Sequence, residues 1–121
     1  IHPTAYLASN CLIEEGTIIC PNTIVNANTT IGKCALVNVF SSIGHHAKVG
    51  DFTVLSPFCS ISGYASIGDS CFLGSRATLF PKVCIGSNCT IDSHTYVKSD
   101  VMSYTIVSLR SEYLSIKDRL S

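Results

Sequence analysis

Every sixth residue from Ile1 to Val97 is Ile, Leu or Val. Cut in that register, residues 1–102 form 17 hexads, from IHPTAY, LASNCL and IEEGTI through to IDSHTY and VKSDVM. The fifth position is always small (Ala, Cys, Thr, Ser or Val), from Ala5 to Val101. Gly stands second in six hexads, at Gly32, Gly44, Gly50, Gly68, Gly74 and Gly86, and Pro3, Pro21, Pro57 and Pro81 all stand third. The register reads as unbroken, with no residue inserted or deleted. Such a period fits neither a 3.6-residue helix nor a strand of ordinary length. It fits a solenoid whose coil has three short flat sides, one hexad to a side. The first position then points an aliphatic side chain inward, and the fifth points inward where space is tight. Gly at the second position suits a positive φ near a corner, and Pro at the third suits a fixed φ that needs no donor. Three hexads make an 18-residue coil, so residues 18 apart stack about 4.8 Å from one another. The run holds 102/18, about 5.7, coils.

Composition agrees. The chain of 121 residues has 13 Ile, 9 Val and 10 Thr, so 32 side chains are β-branched and fit pleated surfaces. Lys and Arg total 8 and Asp and Glu total 8, a net charge of zero. That argues against electrostatic binding of nucleic acid or an anionic membrane, since both need a basic excess. Charged residues make up 13%, and no apolar run approaches the roughly 18 residues of a membrane span. Of the seven cysteines, Cys11, Cys59, Cys71 and Cys89 take the small inward position, where Cys acts as a small hydrophobe. Cys71 and Cys89 are 18 apart and stack within disulfide reach. The odd count and the lack of a signal-like stretch at the start point instead to reduced thiols in a cytoplasmic setting.

The hexads are expected to end at Met102, which divides the chain into a solenoid over 1–102 and a cap over 103–121. SYTIVSL (103–109) reads as one more strand and SEYLSIKDRL (111–120) as a short helix with Ser111 as N-cap. Residue 1 already lies inside a repeat, so the chain reads as a processed or excised piece of a longer one.

The pattern over 1–102 resembles the hexapeptide-repeat left-handed β-helix, an all-β fold. The stretch from Val37 to Gly86 further resembles the sugar acyltransferases of the sialic-acid O-acetyltransferase and bacillosamine N-acetyltransferase kind. The matching residues are His45, Val49-Gly50-Asp51, Ser56-Pro57, Gly63, Ile67-Gly68, Leu73-Gly74 and Pro81, with IHPTA at the start. The resemblance implies N- or O-acetylation of a nucleotide-linked sugar by acetyl-CoA, in a cytoplasmic homotrimer. It also implies a small nucleotide-binding domain ahead of the β-helix. It makes His45 the general base, a role that asks for a group titrating near neutral pH within hydrogen-bond reach of the nucleophile.

Spacing gives the site its outline. His45, Gly63 and Pro81 differ by 18 and form one row; Pro57, Ser75 and Ser93 form another. An acetyl-CoA arm along the first row would pass Gly63, where a missing side chain admits it to the backbone. Gly63 and Pro81 on this row are therefore candidate cofactor contacts, and so are Ser75 and Ser93, which in a trimer would line the other wall from a neighbouring copy. So is Val54, nine residues after the base, where the family often has a second His. His46 stands where the family has a carboxylate after the base, and forms a candidate catalytic pair with His45. Bulky His94 stands where small residues line the family's groove, and SLRSEY (108–113) replaces its terminal Gly-x-Pro-Ala. These departures leave a catalytically weak or inactive trimeric scaffold as the alternative. A zinc enzyme is disfavoured, because His45 and His94 lie 49 residues apart, roughly 13 Å along the axis.

Overall fold

The computed structural model describes residues 1–108; the helix expected over 111–120 lies outside them. Seventeen two-residue strands follow one another. They are β1 Tyr6–Leu7, β2 Leu12–Ile13, β3 Ile18–Ile19, β4 Ile24–Val25, β5 Thr30–Ile31 and β6 Leu36–Val37. Next come β7 Ser42–Ile43, β8 Lys48–Val49, β9 Val54–Leu55, β10 Ser60–Ile61, β11 Ser66–Ile67 and β12 Phe72–Leu73. The last are β13 Thr78–Leu79, β14 Cys84–Ile85, β15 Thr90–Ile91, β16 Tyr96–Val97 and β17 Ile106–Val107. All pairings between strands are parallel, and every third strand joins the same sheet. The first sheet is β1-β4-β7-β10-β13-β16, the second β2-β5-β8-β11-β14, the third β3-β6-β9-β12-β15-β17. Partners sit 18 residues apart, as in Ser60↔Thr78 and Leu73↔Ile91. The protein is a parallel solenoid of hexapeptide coils with three flat faces, and it matches a left-handed β-helix.

Each strand pairs the sixth residue of one hexad, facing out, with the first residue of the next, facing in. Inward aliphatics stack into columns, such as Val25, Ile43, Ile61 and Leu79 behind the first sheet and Ile19, Val37, Leu55, Leu73 and Ile91 behind the third. Each such side chain contributes about 1.5–3 kcal/mol by leaving water. The small fifth-position residues, among them Ala47, Ala65, Ala77, Cys59, Cys71 and Cys89, fill the narrow parts of the section and are buried. Burial lifts the Cys59 thiol from 9.0 to about 11 and raises that of Cys71 too. All seven cysteines are free thiols.

Two expectations are corrected. The positive φ falls at the fourth position, not the second. It recurs without a break from Asn10 to His94 and again at Tyr104, and Gly16 is the one glycine that has it. The second-position glycines answer a different need, because the next coil passes too close for a Cβ. A Cβ on Gly44 would stand 2.5 Å from the Gly63 nitrogen, and one on Gly68 would stand 2.6 Å from Ser87 Oγ. The second correction concerns the end of the repeat. Val101 bridges to Ile85 and Ile106 pairs with Thr90, so the spacing falls from 18 to 16. Two residues are missing from the last coil, Val101 takes a first position, and the repeat continues past Met102 to Val107. Of the strand expected over 103–109, the described residues form only the two of β17, Ile106–Val107.

The corner after the second sheet carries a polar ladder. The backbone N–H of Lys33 donates to Asp51 Oδ1, that of Asp51 to Asp69 Oδ1, and that of Asp69 to Ser87 Oγ, at 2.8, 2.8 and 3.0 Å. These third-position N–H groups have no place in the strand ladders, which explains why Pro is also accepted at that position. Asp51 and Asp69 of the VGD and IGD hexads are thus fixed by structure.

Candidate active site

The corner between the first and second sheets presents Ala27, His45, Gly63 and Pro81 as one axial row. Backbone bonds clamp it: His46 N–H donates to Ala27 O, Tyr64 N–H to His45 O, and Lys82 N–H to Gly63 O, at 3.0, 3.0 and 3.1 Å. His45 and His46 follow β7 and are both exposed. His46 takes the left-handed fourth position, with φ 58°. That turn throws consecutive side chains together, and the two Nδ1 atoms lie 3.2 Å apart in a hydrogen bond.

A third ring completes the group. Tyr64, 18 residues after His46, stacks on it with centroids 4.8 Å apart and planes within 6°. The same tyrosine meets His45 edge-on, at 5.3 Å and 89°. The His45 ring lies over Gly63: a Cβ there would stand 2.9 Å from Nε2 and 3.0 Å from Cε1. Gly63 therefore makes room first of all for the imidazole itself. Sequence reasoning missed Tyr64, although the coil length that tied His45 to Gly63 ties His46 to Tyr64 equally.

The second expected row stands on a different corner, after the third sheet. Arg76 N–H donates to Pro57 O and His94 N–H to Ser75 O, which stacks Pro57, Ser75 and Ser93 in axial order. A Cβ on Gly74 would stand 2.6 Å from the Ser93 nitrogen, so this row too depends on a glycine. Beside it runs a column of flat groups. Phe40 and Phe58 stack at 5.1 Å, and the Arg76 guanidinium lies 4.5 Å over Phe58. His94 follows one coil above Arg76, on a different corner from His45. Val54 begins β9 on the outer face of the third sheet, between Leu36 and Phe72. Within one chain it does not join the histidine corner. A pocket of about 520 Å³ opens at the shortened last coil, between residues 84–86 and 100–103, and contains no imidazole.

Chemically, the corner offers one exposed imidazole whose Nδ1 is engaged and whose Nε2 borders a residue without a side chain. When the hydrogen of that bond sits on His45 Nδ1, Nε2 can take a proton from a nucleophile brought to it. Among the described residues no three His, Cys, Asp or Glu side chains are gathered as a metal site, and no helix is long and apolar enough to cross a membrane.

Residues 64–99 match the hexapeptide repeat of succinyl-transferase. No curated protein matches the sequence significantly. Among solved structures, PerB from Caulobacter crescentus, in complex with CoA and GDP-perosamine, superposes with a TM-score of 0.87 at 27% identity, over 88% of this chain and 51% of that one. WeeI from Acinetobacter baumannii AYE gives 0.82 at 23% identity, over 88% and 53%. The acetyltransferase domain of PglB from Neisseria gonorrhoeae FA1090, in complex with acetyl coenzyme A, gives 0.65 at 20% identity, over 88% and 53%. The chain thus spans about half the length of each. In repeat and in fold, it is a hexapeptide-repeat β-helix similar to that of PerB.

Proposed function

We propose that the chain is the β-helical part of an acetyl-CoA-dependent acetyltransferase that modifies an amino group on a nucleotide-linked sugar. The observation that carries this reading is the exposed His45 imidazole, held through Nδ1 and bordered at Nε2 by Gly63. The fold likeness to a protein solved with CoA and GDP-perosamine supports the substrate class. Acetyl-CoA supplies an acetyl thioester, a carbonyl open to attack by an amine. His45 takes the amine proton at Nε2 as the new C–N bond forms. The C–S bond then breaks, and the proton held on His45 can pass to the departing thiolate. An O-acetyltransferase would use the same base on a hydroxyl.

The second wall of the groove comes, in this reading, from a neighbouring copy. The outer face of the third sheet is mostly apolar, with Ile18, Leu36, Val54, Phe72, Thr90 and Ile106 in one row. Covering that face in a homotrimer removes it from water and lets Pro57, Ser75, Ser93 and Val54 of one copy approach His45 of the next. A cytoplasmic location fits the free thiols, two of them exposed at Cys34 and Cys84.

A thermal shift with acetyl-CoA tests the cofactor half. A ligand bound only to the native state raises stability as RT ln(1 + [L]/Kd). A saturable rise with acetyl-CoA is expected. No rise at concentrations on the order of millimolar, about a thousandfold above a micromolar Kd, contradicts the reading and favours the scaffold.

A further inference from the structure

The two imidazoles at residues 45 and 46 constrain one another. Nitrogen atoms 3.2 Å apart hydrogen-bond only if exactly one carries the hydrogen. If His46 donates, neutral His45 carries its proton on Nε2 and has no lone pair there. If His45 donates, its Nε2 is bare and basic. Proton capture at Nε2 makes His45 an imidazolium, which is a donor at both nitrogens. His46 must then be the acceptor, and the contact becomes a charge-assisted bond of the stronger class.

We propose that His46 and Tyr64 form a positioning clamp, in which His46 Nδ1 accepts from His45 Nδ1–H and holds the lone pair of His45 on Nε2. Tyr64 is the part that makes the clamp rigid. Its ring lies flat on His46 and edge-on to His45, so both imidazole planes are set by one aromatic body. The Tyr64 backbone is tied directly to His45, since its N–H donates to His45 O at 3.0 Å. Gly63, the residue before it, leaves the space beside Nε2 free of a Cβ. A neutral imidazole thus does here what a carboxylate would do elsewhere, with stacking in place of charge to fix its direction. The consequence for turnover rests on the transferase reading; the tautomer does not.

The fold supplies well-matched variants. Residue 46 sits at a left-handed φ of 58°, which Phe adopts at residues 40, 52 and 58 and Asn at residues 22, 28 and 88. His46→Phe therefore keeps the backbone and a flat ring but removes the acceptor. His46→Asn keeps an acceptor oxygen. Tyr64→Leu removes the stack. Long-range ¹H–¹⁵N correlation of the imidazole nitrogens in the whole chain reads the tautomer without any substrate. The clamp predicts His45 protonated at Nδ1 in the wild type, a mixture of tautomers in His46→Phe and Tyr64→Leu, and recovery of the Nδ1–H form in His46→Asn. Protonation at Nε2 in the wild type, or the same spectrum in His46→Phe, overturns it. With acetyl-CoA and GDP-perosamine as probe, His46→Phe is expected to lower kcat at least about 10-fold, part of the roughly 10²–10⁴ that a placed base supplies. The KM for acetyl-CoA should stay unchanged. Unaltered kcat in a folded His46→Phe also counts against the clamp. A wild type with the expected tautomer but no turnover on any acceptor supports the clamp and sinks the transferase reading instead.

Discussion

Gly63 lies beneath the imidazole of His45, close enough that a single added methyl would stand 2.9 Å from Nε2. The obstructing atoms belong to the far end of an exposed side chain. Gly63→Ala should therefore push the ring aside and leave the coil intact. We expect a stability change within about 0.5 kcal/mol, as for surface substitutions. We also expect a clear change in the His45 and Tyr64 ring resonances and a large loss of any activity. A denaturant melt alongside an NMR spectrum checks both halves. A destabilised protein with unmoved rings would show that Gly63 serves the coil and not the site.

Gly44, in the coil below, makes the opposite case. Its Cβ would meet backbone, at 2.5 Å from the Gly63 nitrogen and 2.7 Å from the Ser62 carbonyl carbon. Backbone held by ladders above and below cannot swing away. Gly44→Ala should cost about 1–3 kcal/mol, the usual range for overpacking. Chemical denaturation of the two alanine variants side by side gives the contrast directly.

The Asp51 carboxylate accepts the Lys33 backbone N–H at 2.8 Å, across one coil step. No strand ladder serves that N–H, so Asp51→Ala leaves it to solvent. A loss of about 1.5–3 kcal/mol is expected, the range for a hydrogen bond to a charged group. Asp51→Asn retains an acceptor oxygen and should lose less. Equal losses would mean that charge, and not the bond, is what stabilises this corner.

Much of this geometry was legible in the hexad register, because residues 18 apart must stack. That alone paired His45 with Gly63 and Ser75 with Ser93, and it put Cys59, Cys71 and Cys89 inside. What stayed hidden depended on backbone angles and ring directions. Gly at the second position suggested a positive φ, yet the left-handed residue is the fourth, which this chain fills with Asn, Phe, Tyr, His, Cys, Ser, Arg and Lys as well as Gly16. Asn10, Asn22, Asn28 and Asn88 at that position were the available hint. The shortened last coil was masked by Val101, which suits both a small fifth position and an aliphatic first one. Tyr64 was missed because a side chain at an exposed corner shows its direction only in three dimensions.

Burial decides how the thiols react. Cys34 and Cys84 are exposed, whereas Cys59, Cys71 and Cys89 are buried. The thiolate is the reactive form, and burial raises the Cys59 thiol to about 11 and shifts Cys71 upward as well. Alkylation of the native protein near neutral pH should mark Cys34 and Cys84 and spare Cys59, Cys71 and Cys89 until unfolding. Peptide mass mapping reads this. The same shift bears on alkaline stability. In the unfolded chain Cys59 ionises near 9.0, while in the fold it keeps its proton to about 11. Its stabilising share is whole below 9.0 and is lost as pH rises to about 11, at up to about 1.4 kcal/mol per pH unit. Cys59→Ala should flatten the decline between these limits.

The most direct test of the account is acetyl transfer from acetyl-CoA to nucleotide-linked amino sugars, GDP-perosamine first, by the wild-type chain and by His45→Ala. The product is best followed by mass spectrometry, since Cys34 and Cys84 would consume a thiol reagent. The account predicts an acetylated sugar nucleotide from the wild type. It predicts a fall in kcat of roughly 10²–10⁴ for His45→Ala, with acetyl-CoA still bound, because the base acts in proton transfer. Turnover that survives the loss of His45 would contradict the assignment of the base. A wild-type chain that binds no acetyl-CoA and acetylates none of these sugars would contradict the function.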